Sequence, residues 1–254
     1  MSENLLTIAV SNRDRMAPDN KATKLWISSI KNQVNKKFDV IVVDGGSKNY
    51  AELKEFLAKH NIQCIQHIIG EKFHRGLLNN VGVRNAKTPY IMTSDADMFF
   101  APKLFDTIIS MSDPNIWIQS RTMYWRPDIV EKIYNGKLNP YKDLDKCKNS
   151  RLKKRTTAGG CQCGHISAWN KVRGFNEEEM IGWGSEDQEL LKRVSLAGYK
   201  VIWIGESLES IMLFHQPHAK PNYKQDMEDQ YRNMIVLNNV KGFTANPHGW
   251  GGIK

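Results

Sequence analysis

No stretch of the 254 residues approaches the ~20 consecutive apolar positions that a membrane-crossing helix needs. Nor is there the charged and then apolar start of a secretory signal. Met1-Ser2-Glu3-Asn4 runs straight into the apolar Leu5–Val10. Cysteine is scarce, with four residues at 64, 147, 161 and 163. With no signal ahead of them, free thiols and a cytoplasmic protein are expected. Cys161-x-Cys163-x-His165 has a one-residue gap, which suits alternation along a strand better than the wider spacing of a zinc knuckle. Internal repeats and low-complexity linkers are also missing. With 41% hydrophobic residues, the chain can bury one sizeable core, so a single unit over 1–254 is expected.

Acidic residues are in deficit. Lys and Arg number 36 against 27 Asp and Glu, a formal net charge of +9. Such a balance favours anionic partners: nucleotide phosphates, acidic glycans, nucleic acid or a lipid surface. The charge is concentrated at Lys142, Lys146, Lys148, Arg151, Lys153, Lys154 and Arg155, opposed only by Asp143 and Asp145. That stretch lacks apolar periodicity and reads as an exposed loop.

The first hundred residues alternate strand and helix. Leu5–Val10, Phe38–Val43, Ile62–Ile69 and Tyr90–Thr93 read as strands, nearly continuous in apolar residues as buried parallel strands are. Lys24–Lys36, Tyr50–His60 and Leu77–Ala86 carry helical spacing. This order predicts an α/β fold, a mostly parallel doubly wound sheet flanked by helices. Right-handed crossovers then bring the strand ends to one edge. The second half is less regular. Helices are expected at Pro102–Met111, Ile129–Tyr134 and Glu186–Ala197, and strands at Ile116–Ser120, Cys161–Ala168, Lys200–Ile204 and Ile211–Phe214. The glycine-rich end, Pro247–Lys254, reads as a mobile tail or a lid.

Ser94-Asp95-Ala96-Asp97-Met98 follows the fourth strand directly. Two carboxylates at the carboxyl end of a parallel strand stand where open α/β sheets place ligands. Carboxylates there suit a hard divalent cation that bridges to phosphates. Arg13 and Asp44 fall at other strand ends on the same edge. The bland readings are a helix cap or a solvated turn; convergence of these groups favours a metal-assisted enzyme on a nucleotide-activated substrate.

Four blocks resemble those of the GT-A-fold glycosyltransferases, nearest to the beta-1,4-galactosyltransferases and related polysaccharide-chain transferases. They are Asp39–Ser47, then Phe73–Gly82 leading into Ser94–Asp97, then Gly174-Phe175 with Gly182-Trp183-Gly184-Ser185-Glu186-Asp187, and Met212-Leu213-Phe214-His215. Their order and spacing match over roughly residues 5 to 220. The resemblance implies a nucleotide-binding half over 1–100 and an acceptor and catalytic half over 101–254. It implies that Asp97, His215 and the Met212 thioether bind Mn²⁺, with Mg²⁺ the alternative, since a soft sulfur beside hard oxygens favours manganese. His218 competes with His215, whose plain reading is a cap or core histidine. Asp95 would touch the sugar or ribose, Asp44 the uracil or ribose, and Arg13 the nucleotide. Arg75 would orient nucleotide and carboxylates. Arg15 reads equally well as a nucleotide contact or a solvated residue.

In the same resemblance Asp187 is the general base and Glu186 the acceptor-hydroxyl partner. Trp183 offers a flat face to a pyranose, or a plain core tryptophan, and its flanking glycines let the loop move. Gln188 follows Asp187 where the galactosyltransferases carry further acids. The implied activity is inverting transfer of a hexose or N-acetylhexosamine from a UDP-sugar to a saccharide hydroxyl. Two other readings stand beside it. One is a viral-type transferase acting on hydroxymethylated pyrimidines in DNA, which the positive charge suits. The other is a non-catalytic glycan- or nucleotide-binding module.

Overall fold

The structure is a computed structural model and describes residues 3–147, 159–205, 212–218 and 223–252. Strand β1 (Leu6–Asn12) leads to helix α1 (Lys21–Lys31), then β2 (Phe38–Asp44), α2 (Tyr50–Ala58), β3 (Gln63–Gln66), α3 (Arg75–Asn85) and β4 (Tyr90–Asp95). There follow β5 (Met98–Phe100), α4 (Leu104–Ser110), β6 (Ile116–Ser120), β7 (Thr122–Tyr124), α5 (Pro127–Tyr134) and α6 (Leu144–Cys147). The chain continues as β8 (Cys161–His165), α7 (Ile166–Val172), α8 (Glu186–Leu196), β9 (Lys200–Ile204), β10 (Leu213–His215) and α9 (Tyr223–Asn239).

Seven strands form the main sheet in the order β3-β2-β1-β4-β8-β6-β9. Neighbours are parallel except β8, which runs antiparallel to both β4 and β6. The expected α/β, mostly parallel sheet is therefore present. Strand alternation divides the core between the two faces. Leu6, Ile8 and Val10 of β1 pack with Trp26, Leu53 and Phe105 on one side, while Ala9 joins Val83, Trp117 and Trp169 on the other. Helix α3 lies close on β1, because a Cβ at Gly82 would meet Ala9 Cβ at 2.7 Å. A second, three-stranded sheet, β5-β10-β7, stands beside the main one. Its core holds Phe99, Trp125, Met212 and Phe214.

Two expectations for the second half change. The strand expected over Cys161–Ala168 stops at His165, whose ring Nδ1 accepts from Ser167 N at 3.2 Å and caps α7. Cys161 and Cys163 are buried free thiols in that strand, and burial pushes the Cys161 thiol up to about 12. The C-terminal segment is packed rather than loose through Gly252. Trp250 is buried beside Trp169 and Phe175, and Gly251 N donates to Glu177 Oε1 at 2.7 Å. Of the basic stretch, Lys142 and Lys146 are described, and Lys146 pairs with Asp143 at 2.8 Å; Lys148, Arg151, Lys153, Lys154 and Arg155 lie outside the described residues.

Candidate active site

Helix α3 delivers the central cation. His74 caps its start, its Nδ1 accepting from Leu77 N at 3.3 Å while Nε2 bonds Glu177 O at 2.9 Å. That fixes Arg75 at the first helical position, 8% exposed, pointing at the end of β4. Its Nε donates to Asp95 Oδ1 at 2.5 Å, and its Nη1 to Asp187 Oδ1 at 2.7 Å and Glu186 Oε1 at 3.4 Å. One guanidinium thus gathers three carboxylates.

Glu186 and Asp187 reach this cluster because α8 begins there. The turn before it, Gly182 (φ 85), Gly184 (φ 98) and Ser185 (φ 69), runs through left-handed conformations, which only glycine enters without cost. Ser185 stands at the N-cap position without a side-chain cap bond. Helix N-terminal charge favours acids in this first turn. Burial pushes the Asp187 carboxyl up to about 7; Arg75 pulls it down, and the Glu186 and Asp95 charges push it up again. Burial raises Glu186 as well, against the pull of Arg75. Burial alone would lower Arg75, but the three carboxylates hold it well above its usual range. A dry pocket with one cation cannot carry all three anions cheaply, so a proton is retained near neutrality. Gly159 lies so close that a Cβ there would meet Asp187 Oδ2 at 2.9 Å, and Gln162 Nε2 holds the Asp187 carbonyl at 3.0 Å.

The second cluster joins the end of β4 to the end of β10. Gln216 N donates to Asp97 O at 2.9 Å and Trp125 N to His215 O at 3.1 Å, fixing the two backbones. His218 Nε2 lies 3.0 Å and His215 Nε2 3.6 Å from Asp97 Oδ2. One ligand atom from each of the three lies within 4.8 Å of the others. Burial works to raise the Asp97 carboxyl, but the His218 hydrogen bond and the charges of His215, His218 and Arg15 bring it below the usual range. Burial lowers His215, which keeps an imidazole nitrogen available for coordination. Asp97 Oδ1 and His215 Nδ1 are buried without a hydrogen-bond partner. Buried polar atoms are seldom left so, and a divalent cation suits this oxygen and nitrogen set.

Three of the expected residues have partners within the fold. Met212 is buried in the cluster with Phe99, Met123, Trp125 and Phe214. Asp44 is fully buried, and both its oxygens are used within the fold. Oδ1 accepts from Gly46 N and Ser47 N, and Oδ2 from Asn12 Nδ2 at 2.8 Å and Ser47 Oγ at 2.5 Å. These bonds build the turn after β2. Arg13 donates to the carbonyls of Gly70 at 2.7 Å and Glu71 at 3.2 Å, holding that loop to the end of β1. Its neighbour Arg15 is the one whose charge reaches Asp97 and His215. Trp183, just before Glu186 and Asp187 in the chain, is 43% exposed and not a core residue. Sequence reading missed Gly159 and Tyr124, whose ring lies 4.9 Å from His215. Tyr124 sits in a three-residue strand too short to read.

A mostly parallel sheet with its carboxylates gathered beyond the end of β4 defines the GT-A class of α/β fold. The chain belongs to glycosyl transferase family 2, whose model matches residues 21–153; residues 141–218 match the N-terminal domain of galactosyltransferase. Among curated proteins, an uncharacterized glycosyltransferase of Rickettsia bellii (strain RML369-C) is 29% identical over 115 residues, 43% of this chain and 16% of that protein. Among solved structures, S. aureus TarS superposes with a TM-score of 0.61 at 15% identity, over 92% of this chain and 39% of that one. The mannosyltransferase PcManGT from Pyrobaculum calidifontis, in complex with GDP-Man and Mn²⁺, gives 0.61 at 15% identity, over 93% and 65%. S. aureus TarS 1-349 in complex with UDP-GlcNAc gives 0.58 at 16% identity, over 92% and 65%. The chain spans less than two thirds of each of these relatives.

Proposed function

We propose that the chain is a metal-dependent, inverting glycosyltransferase that moves a hexose or N-acetylhexosamine from a UDP-sugar to a saccharide hydroxyl. The observation that carries the reading is the pairing of two clusters at one sheet edge: Asp97, His215 and His218 as a cation site, and Arg75 holding Asp95, Glu186 and Asp187. A base and an electrophile site are thereby kept apart yet framed by the same strand end. The UDP-GlcNAc carried by one structural relative and the Mn²⁺ carried by another lend support to donor and cofactor. Residues 1–100 would supply most of the nucleotide side and 101–254 the acceptor side, as one domain. The free thiols suit a cytoplasmic location.

When bound, the cation would neutralise charge growing on the departing diphosphate. Asp97 and the two histidines would hold it, with Mn²⁺ preferred and Mg²⁺ the alternative. Asp95, fixed by Arg75, would accept a hydroxyl of ribose or sugar. The acceptor oxygen forms a bond to the anomeric carbon while the bond from that carbon to the UDP oxygen breaks on the opposite face. Asp187 takes the acceptor proton, Glu186 orients the acceptor, and Trp183 packs on a sugar ring. A carboxyl near neutral pKa is well matched to that proton transfer.

Release of UDP from a panel of UDP-sugars, with Mn²⁺ or EDTA, tests this. Metal-dependent turnover of one donor is expected; turnover undiminished by EDTA would remove the metal from the reading. Adding hydroxymethylated DNA to the same assay examines the nucleic-acid acceptor, which rests on net charge alone among the described residues.

A further inference from the structure

Helix α9 lies against the Gly182–Gly184 turn. Asn233, fully buried, donates from Nδ2 to Gly184 O at 2.9 Å, and Arg232 donates to the Ile181 carbonyl. Asp229 is pressed so closely on Gly182 that a Cβ there would meet Oδ2 at 2.1 Å, and Gln230 Cγ would meet one on Gly184 at 3.1 Å. Only glycine at both positions allows this approach. The turn expected to move freely is therefore held along its length by one helix.

Asp229 is itself held. Lys72 Nζ lies at 2.8 Å, Gln225 Nε2 at 3.1 Å and Arg232 Nη1 at 3.3 Å. Lys72 belongs to the segment between β3 and α3 whose carbonyls at Gly70 and Glu71 accept from Arg13. A continuous set of contacts thus runs from the end of β1 through residues 70–72 to α9 and on to the start of α8.

Ordinary packing does not account for this arrangement. Met227, Tyr231 and Met234 share one side of α9 and are exposed, Tyr231 to 72%. Asp229 and Asn233, on the opposite side, are the buried ones. On that inward side Asp229 and Asn233 are more deeply buried than the apolar Val236 and Leu237, so hydrophobic surface alone does not dock the helix. Its inward groups converge on a single turn.

We propose that Asp229 and Asn233 are positioning residues for the transfer reaction. They act through Gly182 and Gly184 to set Trp183 and the first turn of α8, and so the Glu186 and Asp187 carboxylates. This rests on the reading of Glu186 and Asp187 as the reactive pair.

Fluorine NMR of fluorotryptophan-labelled protein, with the Trp183 resonance assigned from Trp183→Phe, reports the turn without requiring activity. It is read beside UDP release from the UDP-sugar panel and UDP affinity by calorimetry. Asn233→Ala and Lys72→Met are compared; Lys72 is half-exposed, so its loss leaves the fold intact even if Asn233→Ala does not fold. Both variants are expected to shift or broaden the Trp183 resonance and lower kcat about tenfold or more, since small misplacements cost up to about 10²-fold. UDP affinity should stay within about twofold, the mark of an effect confined to the reacting geometry. Lys72→Arg should restore the wild-type resonance. An unmoved resonance in the folded variants overturns the proposal, as does a loss of UDP affinity equal to the loss of kcat. A wild-type chain inactive on every donor would instead overturn the reading of Glu186 and Asp187, and the Trp183 resonance would still decide whether α9 sets the turn.

Discussion

Asp95 and Asp187 bind opposite sides of one guanidinium, Asp95 at Arg75 Nε (2.5 Å) and Asp187 at Nη1 (2.7 Å). The first closes a strand and the second lies in the first turn of a helix, so a single side chain registers the end of β4 against the start of α8. The planar fork of arginine can do this, and a point charge cannot. Arg75→Lys is expected to weaken UDP affinity and lower kcat together, by about tenfold or more each given the directional loss. An effect on only one of the two parameters in steady-state kinetics and calorimetry would show that the two acids are set independently.

Asp187→Asn keeps the shape of the side chain and removes the proposed base. Turnover should fall by ~10²–10⁴, the usual contribution of a placed general base. UDP affinity should be nearly unchanged. Near-normal turnover would assign the base elsewhere.

The Asp187 carboxyl, pushed up to about 7 by burial, must be ionised to accept a proton. The kcat profile should therefore rise with pH and level off above neutrality, and this limb should vanish in Asp187→Asn. Stability runs the other way. A carboxyl whose folded pKa exceeds its unfolded value stabilises the fold below the unfolded pKa, and that contribution is lost as pH rises through the folded one. Asp187→Asn should thus gain thermal stability relative to wild type between about pH 5 and about pH 8. A constant difference across that range would contradict the raised carboxyl.

His218 lies in the Asp97 cluster and Met212 in an apolar one. Met212→Leu conserves volume in an apolar cluster, so it should cost less than about 1.5 kcal/mol and leave Mn²⁺ dependence intact. His218→Ala should weaken Mn²⁺ binding, followed by calorimetry or the metal titration of UDP release, by about tenfold or more, as for loss of one ligand. The reverse pattern would return the methionine to the metal.

Gly159→Ala places a methyl 2.9 Å from Asp187 Oδ2. The carboxylate must shift by several tenths of an ångström, and kcat should fall about tenfold or more. Gly242→Ala, where a Cβ meets nothing within 4 Å, is the control and should leave kcat unchanged.

Strongly patterned elements were legible in the sequence: Ile116–Ser120 and Lys200–Ile204 have the bounds expected of them. β5 and β7, three residues each, are too short to show a period. α9 is hard to read because its fully buried positions are Asp229 and Asn233, while Met227, Tyr231, Met234 and Ile235 are exposed. Hydrophobic periodicity cannot report a helix docked by polar groups. In the site, acids beside strand ends were readable as a pattern. That His218 joins Asp97 and His215 was not, because it lies beyond the end of β10 and its placement depends on how the chain turns there. At Asp44 a sequence shows a carboxylate at a strand end but not the four hydrogen bonds it accepts within the fold.

The antiparallel β8 enters the sheet between β4 and β6. Until Cys161–His165 leave the ribosome, β4 therefore presents a bare edge, with Ser94 Oγ still lacking the Gly160 carbonyl it finally meets at 2.7 Å. A nascent chain ending near residue 100 holds the acids of β4 without the strand that shields them, and such edges pair promiscuously. Synthesis halted before β8 should leave a species recognised by chaperones, and release from them should coincide with emergence of that one short strand.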